Sequence, residues 1–191
     1  MSDYRTLYID DVADDSLARV KLLLAKVPDG VYRAVGSAMK RAGDTARTQA
    51  AKYASETYAI SQSTFRNHVK YVNHFNEGKA EVEFGFKGYV IPLIEFDTKH
   101  GPDGKVLARA KRKSPLTEID NAFFAQVYNH TGVFERKTSK RFPIEQKYGP
   151  SAAHMMNESE EVVDKMDETV RTTFDKRIEH EISRILNGYG G

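Results

Sequence analysis

An α+β fold, with an antiparallel sheet flanked by an N-terminal helix and a long C-terminal helix, is what this sequence predicts. Three stretches carry that reading. An alanine-rich run over 31–57 repeats its apolar residues every three or four positions. The stretch Glu81 to Lys87 alternates apolar with charged residues, Gly85 excepted. A second stripe at helical spacing runs through 151–187. No internal repeat or low-complexity segment interrupts them, and the whole of 1–191 reads as a single domain.

Residues 1–28 form an acidic leader, with Asp10, Asp11, Asp14 and Asp15 close together. Within it Val20, Leu23, Leu24 and Val27 predict a short helix over 13–26, ended by the turn signal Pro28-Asp29-Gly30. In the helix over 31–57, Val35, Ala38, Met39, Ala42, Ala46, Ala50 and Tyr53 form the buried face, and alanine there allows close approach of another element. Arg33, Lys40, Arg41, Arg47 and Lys52 lie on the opposite, solvated face.

The strand-rich region spans 66–138. Val69, Tyr71, Asn73 and Phe75 share one face of a strand that pairs with Glu81–Lys87 through a hairpin at Asn76-Glu77-Gly78-Lys79. Pro92 cannot donate to a ladder, so Tyr89–Ile94 belongs at a sheet edge or in a packed loop. Gly101-Pro102-Asp103-Gly104 is a turn rather than a phosphate loop, because the Gly-x-x-x-x-Gly-Lys spacing is missing. Strands are expected over 105–113, 123–129 and 133–138, with a turn at Asn129-His130-Thr131-Gly132.

Gly149-Pro150-Ser151 opens the last helix, with Ser151 placed to cap it. Val163, Met166, Val170, Phe174, Ile178, Ile182 and Ile185 form its stripe, and Gly188 stops it. Unbroken, it would reach about 50 Å at ~1.5 Å per residue, so it must bend or pack partly on another subunit.

Composition narrows the function classes. The absence of cysteine removes disulfides, thiol nucleophiles and thiolate metal sites. No apolar run approaches the ~20 residues that span a bilayer, and the acidic start lacks the order of a signal peptide. A protein made in the cytoplasm, with no membrane partner, is expected. The net charge of +2 is low for a dedicated duplex-DNA binder.

The six histidines are scattered, with no His-Glu-x-x-His pair to place two ligands on one helix face. No Gly-x-Ser-x-Gly elbow occurs, and Glu179 and Glu181 beside His180 read as a solvated helix face. No enzyme, metal or cofactor is therefore expected, and a peptidoglycan hydrolase or nuclease would need converging ligands the sequence does not offer. The strongest electrostatic features are Arg109, Lys111, Arg112 and Lys113, and then Arg136, Lys137, Lys140 and Arg141. These eight are the candidate interaction residues. Arginines among them can pair with carboxylates on a partner and fix its orientation. The rival reading is a nucleic-acid-binding module that uses the basic helix face and 109–113.

A resemblance rests on short motifs in a fixed order. They are Ala122-Phe123-Phe124-Ala125, Gly132-Val133-Phe134-Glu135-Arg136, Arg141-Phe142-Pro143-Ile144 and Tyr148-Gly149-Pro150-Ser151, followed by a long helix. Tyr58-Ala59-Ile60-Ser61-Gln62 and Ile91-Pro92-Leu93 precede them. From about Val31 to the last helix, the chain resembles the minor tail protein Z family of tailed phages and prophages. The acidic leader falls outside the pattern. The resemblance implies a non-catalytic virion protein that finishes the head-proximal end of the tail during head–tail joining. It implies assembly in the host bacterial cytoplasm. Implied partners are tail terminator, tail-tube and neck or connector proteins, or further copies in a ring, with packaged DNA nearby.

Overall fold

A computed structural model describes residues 3–8, 10–76, 79–86, 88–127, 129–158 and 160–188. In chain order the elements are β1 (Asp3–Tyr8), α1 (Asp10–Leu23), α2 (Gly30–Thr57), α3 (Gln62–Arg66), β2 (Val69–Asn76) and β3 (Lys79–Phe86). Then come β4 (Val90–Pro92), β5 (Asp97–His100), β6 (Val106–Arg109), β7 (Thr117–Ile119), β8 (Ala122–Val127) and β9 (His130–Arg136). The chain continues through β10 (Ile144–Gln146), β11 (Tyr148–Ser151), α4 (Ala152–Asn157) and α5 (Glu160–Leu186). The fold is α+β, and among the described residues the strands form four small antiparallel sheets rather than one: β1-β3-β2, β10-β9-β8, β11-β4 and β5-β6-β7.

The described residues group into two compact units. A strand-rich unit comprises the described residues of Ala51–His68 and Lys87–Glu158. A helical unit comprises those of Asp3–Ala50, Val69–Phe86 and Ser159–Gly191.

In the helical unit the periodic stripes are buried. Leu17 and Val20 of α1, Leu24 just after it, Ala34, Val35, Ala38, Met39, Ala42 and Ala46 of α2, and Met166, Val170, Phe174 and Ile178 of α5 are all withdrawn from water. Two details differ from the sequence expectation. Leu23 is exposed, and Val162 rather than Val163 faces the core. Ser16 Oγ donates to Asp175 Oδ1 at 3.2 Å, and Arg19 pairs with Glu179 at 3.3 Å, so α1 lies along α5. The leader also supplies a strand that sequence reading missed: β1 pairs antiparallel with β3, Asp3 opposite Phe86. Its tyrosines and threonine are strand formers. The turn expected at Asn76–Lys79 includes positions outside the described residues.

The strand-rich unit has its own small core of Leu93, Val106, Ala108, Ala122 and Val133, with Ile94, Ile119 and Phe124 against it. The Gly101–Gly104 turn joins β5 to β6, with Gly104 at φ +76, a value that favours glycine. Among the described residues β4, ended by Pro92, pairs with β11 alone. Gly149 in β11 lies so close to Phe96 that a Cβ would stand 2.5 Å from its Cε2.

Two expectations are corrected here. Gly132 is no turn residue. β8 and β9 already pair at Val127 and His130, so the connection comes earlier and Gly132 is a buried strand position opposite Ala125. The ring of Phe134 folds over it, and a Cβ there would meet Phe134 Cε2 and Gln146 Nε2 at 3.1 Å each.

The helix expected over 151–187 is also divided. α4 ends at Asn157, Glu158 caps it by donating its N–H to the His154 carbonyl, and α5 starts at Glu160. Asn and Ser are weak helix formers, and the Glu158 side chain is held by partners within the strand-rich unit. At 27 residues α5 measures about 40 Å.

Candidate functional site

Strand pleating gives β8 two different faces. Ala122 and Phe124 turn toward the core of the strand-rich unit. Phe123, Ala125 and Val127 share the other face. Phe123 stands opposite Phe134, and Arg136 of β9 stands opposite Ile144 of β10. Beyond β9 the chain loops out through Lys137–Pro143 before returning as β10. Together these residues enclose an open groove of about 520 Å³, lined by Phe123, Ala125, Val127, Phe142 and Ile144 and bounded by Arg136 and Arg141. Phe142 is 62% exposed.

Both bounding arginines lie over aromatic rings. Arg136 Cζ is 4.6 Å from the Phe123 ring centre, and Arg141 Cζ is 5.7 Å from that of Phe142. Neither has a carboxylate partner among the described residues.

The neighbouring cation, Lys137, is committed. It reaches Glu145 at 3.2 Å and Glu135 at 3.5 Å, and Lys147 reaches Glu135 at 2.7 Å. Glu135 and Glu145 stand directly opposite each other on β9 and β10, where two like charges would repel. The hydrogen bond from Lys147, helped by the charges of both lysines, holds the Glu135 carboxyl below the usual carboxylate range. Lys140 is exposed and carries no ion pair among the described residues.

The basic run 109–113 sits elsewhere in the same unit and is largely consumed internally. Arg109 Nε donates to Asp97 at 2.7 Å. Lys111 pairs with Glu158 at 2.8 Å and lies over the Tyr58 ring. The Arg112 side chain donates to the Ser55 carbonyl, and its backbone N–H donates to Thr57. Lys113 is exposed, with neither an ion pair nor a side-chain hydrogen bond among the described residues.

Around Lys111 is a compact polar knot. The buried Tyr58 donates its hydroxyl to Glu158, and His154 Nε2 lies 3.3 Å from the same carboxylate. Hydrogen bonds from Lys111 and then Tyr58 hold Glu158 below the usual carboxylate range. Burial, followed by the neighbouring carboxylate, pushes the Tyr58 hydroxyl well above the ordinary tyrosine value.

The helical unit holds a second, smaller concavity of about 320 Å³ lined by Lys40, Arg41, Asp44, Arg177, Glu181 and Arg184. Glu181 was expected on a solvated face; its side chain is 1% exposed. It lies three residues after Ile178 and beside Ile182, on the core side of α5. Arg177 and Arg184, one turn away on either side, each pair with it at 2.8 Å.

Sequence reading placed Arg136 and Arg141 among its candidates but did not bring Phe123, Phe142 and Ile144 to the same groove. The signal was there in the alternation of β8 and in the position of Phe142 between Arg141 and Pro143. No group of three or more His, Asp or Glu is placed to hold a metal ion among the described residues. No helix among them is long and apolar enough to cross a membrane.

The groove offers apolar area beside guanidinium groups. The profile of the family described as prophage minor tail protein Z (GPZ) matches residues 24–189, and the chain belongs to that family. It is thus a structural protein of the phage tail. No curated protein and no solved structure matches it. The acidic leader before residue 24 lies outside the matched region.

Proposed function

We propose that this protein completes the head-proximal end of the tail. On this reading it assembles in the host cytoplasm and docks on a tail terminator, tail-tube or neck protein during head–tail joining, as a ring of several copies. It acts without catalysis. The observation that carries the docking role is the groove of the strand-rich unit, where Arg136 and Arg141 stand over exposed or half-buried aromatics with no carboxylate partner among the described residues. Cations spent on internal pairs, such as Arg109 and Lys111, hold the unit together instead.

Deletion of the gene from an inducible phage tests this role. Full heads and complete-length tails should accumulate unjoined, and labelled protein should map to the head-proximal tail end by cryo-electron microscopy. Absence from purified virions, or a position at the distal tip, would refute it.

One observation favours nucleic acid as a second reading: Lys40, Arg41, Arg177 and Arg184 gather at the concavity of the helical unit. Retention of DNA on filters across a salt series separates the two. A phosphate-binding surface loses about 10³-fold in affinity or more between roughly 50 and 200 mM salt.

A further inference from the structure

We propose that the outer face of the β8-β9-β10 sheet is the docking site for a short acidic segment of a partner tail protein. Its apolar side chains would lie on Phe123, Phe142 and Ile144, and its carboxylates on Arg136 and Arg141. The inference rests on the tail role proposed above and names the chemistry of what the tail protein grips.

Three observations converge on this face. The first is its shape and apolarity. β8 presents Phe123, Ala125 and Val127 away from the core, and Phe142 adds a ring that is 62% exposed. An apolar patch beside cations is characteristic of an interface, where aromatic and arginine side chains carry most of the energy.

The second is the sorting of charge. Of the eight candidate cations, Arg109, Lys111 and Lys137 face carboxylates, and Arg112 donates to a backbone carbonyl. The four others are Lys113, Arg136, Lys140 and Arg141, and the last three belong to the strand and loop at the groove. Their charge meets no carboxylate among the described residues, and the complement of a groove edged by such guanidinium groups is a carboxylate.

The third is preorganisation. Stacking on Phe123 and Phe142 limits the freedom of Arg136 and Arg141, so less entropy remains to be lost when a carboxylate arrives. The opposite face differs in kind, since Glu135 and Glu145 are there neutralised by Lys137 and Lys147.

Fluorescence anisotropy with the full chain tests the site. The probes are a labelled peptide alternating leucine with glutamate, its leucine–lysine counterpart, and a short single-stranded DNA. Saturable binding of the glutamate peptide alone is expected. Arg136→Glu and Arg141→Glu should each weaken it about tenfold, whereas Lys113→Glu should change it by less than about twofold. Phe142→Ala, at a position 62% exposed, should weaken it severalfold while leaving the urea midpoint in place.

Equal binding of both peptides, equal loss with Lys113→Glu, or DNA binding that depends on Arg136 and Arg141 would overturn the site. Mass spectrometry of purified virions reads the tail role separately. Wild-type protein present in virions, with no binding of the glutamate peptide, removes the docking site and leaves the tail role. Wild-type protein absent from virions removes the tail role whatever the peptide does.

Discussion

Tyr58 donates its hydroxyl to the carboxylate of Glu158, a residue 100 positions further along the chain. The bond ties the end of α2 to the cap of α4 within the strand-rich unit. Lys111 approaches the same carboxylate at 2.8 Å, so three distant stretches meet there. Tyr58→Phe should lower stability by about 1 kcal/mol, read as a shift in the urea midpoint at unchanged slope. Because burial raises the Tyr58 hydroxyl, alkaline absorbance titrations of wild type and Tyr58→Phe should coincide until the protein unfolds. An extra tyrosinate appearing near the ordinary value in wild type would contradict this geometry.

Acid should loosen the same knot. The Glu158 carboxyl titrates below its unfolded value because Lys111, then Tyr58, bonds its charged form. Its contribution is therefore complete above the unfolded carboxylate pKa of about 4.3 and disappears as pH falls through the lower folded value. Glu135 behaves alike through Lys147. Urea midpoints of wild type and Glu158→Gln should differ at neutral pH and converge on acidification. A gap that widens toward low pH would be the wrong sign.

Gly149 tests how tightly the strand-rich unit is packed. A methyl group there would stand 2.5 Å from Phe96 Cε2, and 3.0 Å from its Cδ2 and Cζ. Gly149→Ala should cost about 1–3 kcal/mol by thermal unfolding, the range for overpacking. Adding Phe96→Leu should recover part of that loss, since space and not backbone conformation is the constraint.

Glu181 offers an asymmetric outcome. Its side chain is 1% exposed, while Arg177 and Arg184 are 40% and 41% exposed and can reach water. Glu181→Met should leave stability nearly unchanged. The double substitution Arg177→Ala with Arg184→Ala strands a desolvated carboxylate and should cost about 2 kcal/mol or more. Equal losses from both changes would show that Glu181 is not held as described.

The helices were legible because burial follows their period. Val35, Ala38, Met39, Ala42 and Ala46 recur on one face, and all are buried. The break between α4 and α5 was not legible, since apolar residues continue on both sides of it at Met155, Met156 and Val162. What divides the helix is the attachment of Glu158 to Tyr58 and Lys111, a tertiary fact. Gly132 misled for a related reason. Glycine serves turns and close approaches alike, and only the ring of Phe134 shows which applies.

At the candidate groove, charge was visible and commitment was not. Arg109 and Arg136 look equivalent in sequence, yet one faces Asp97 and the other lies over Phe123.

Both units interleave along the chain. The helical unit needs α1 near the start and α5 near the end, joined by the bond from Ser16 to Asp175, 159 positions apart. The helical unit cannot be closed while the ribosome still holds the C-terminal helix, so late synthesis is the commitment step for that unit. Cutting the gene in the middle would yield two fragments with unmatched apolar faces rather than two modules, and dissection of this protein calls for point substitutions instead.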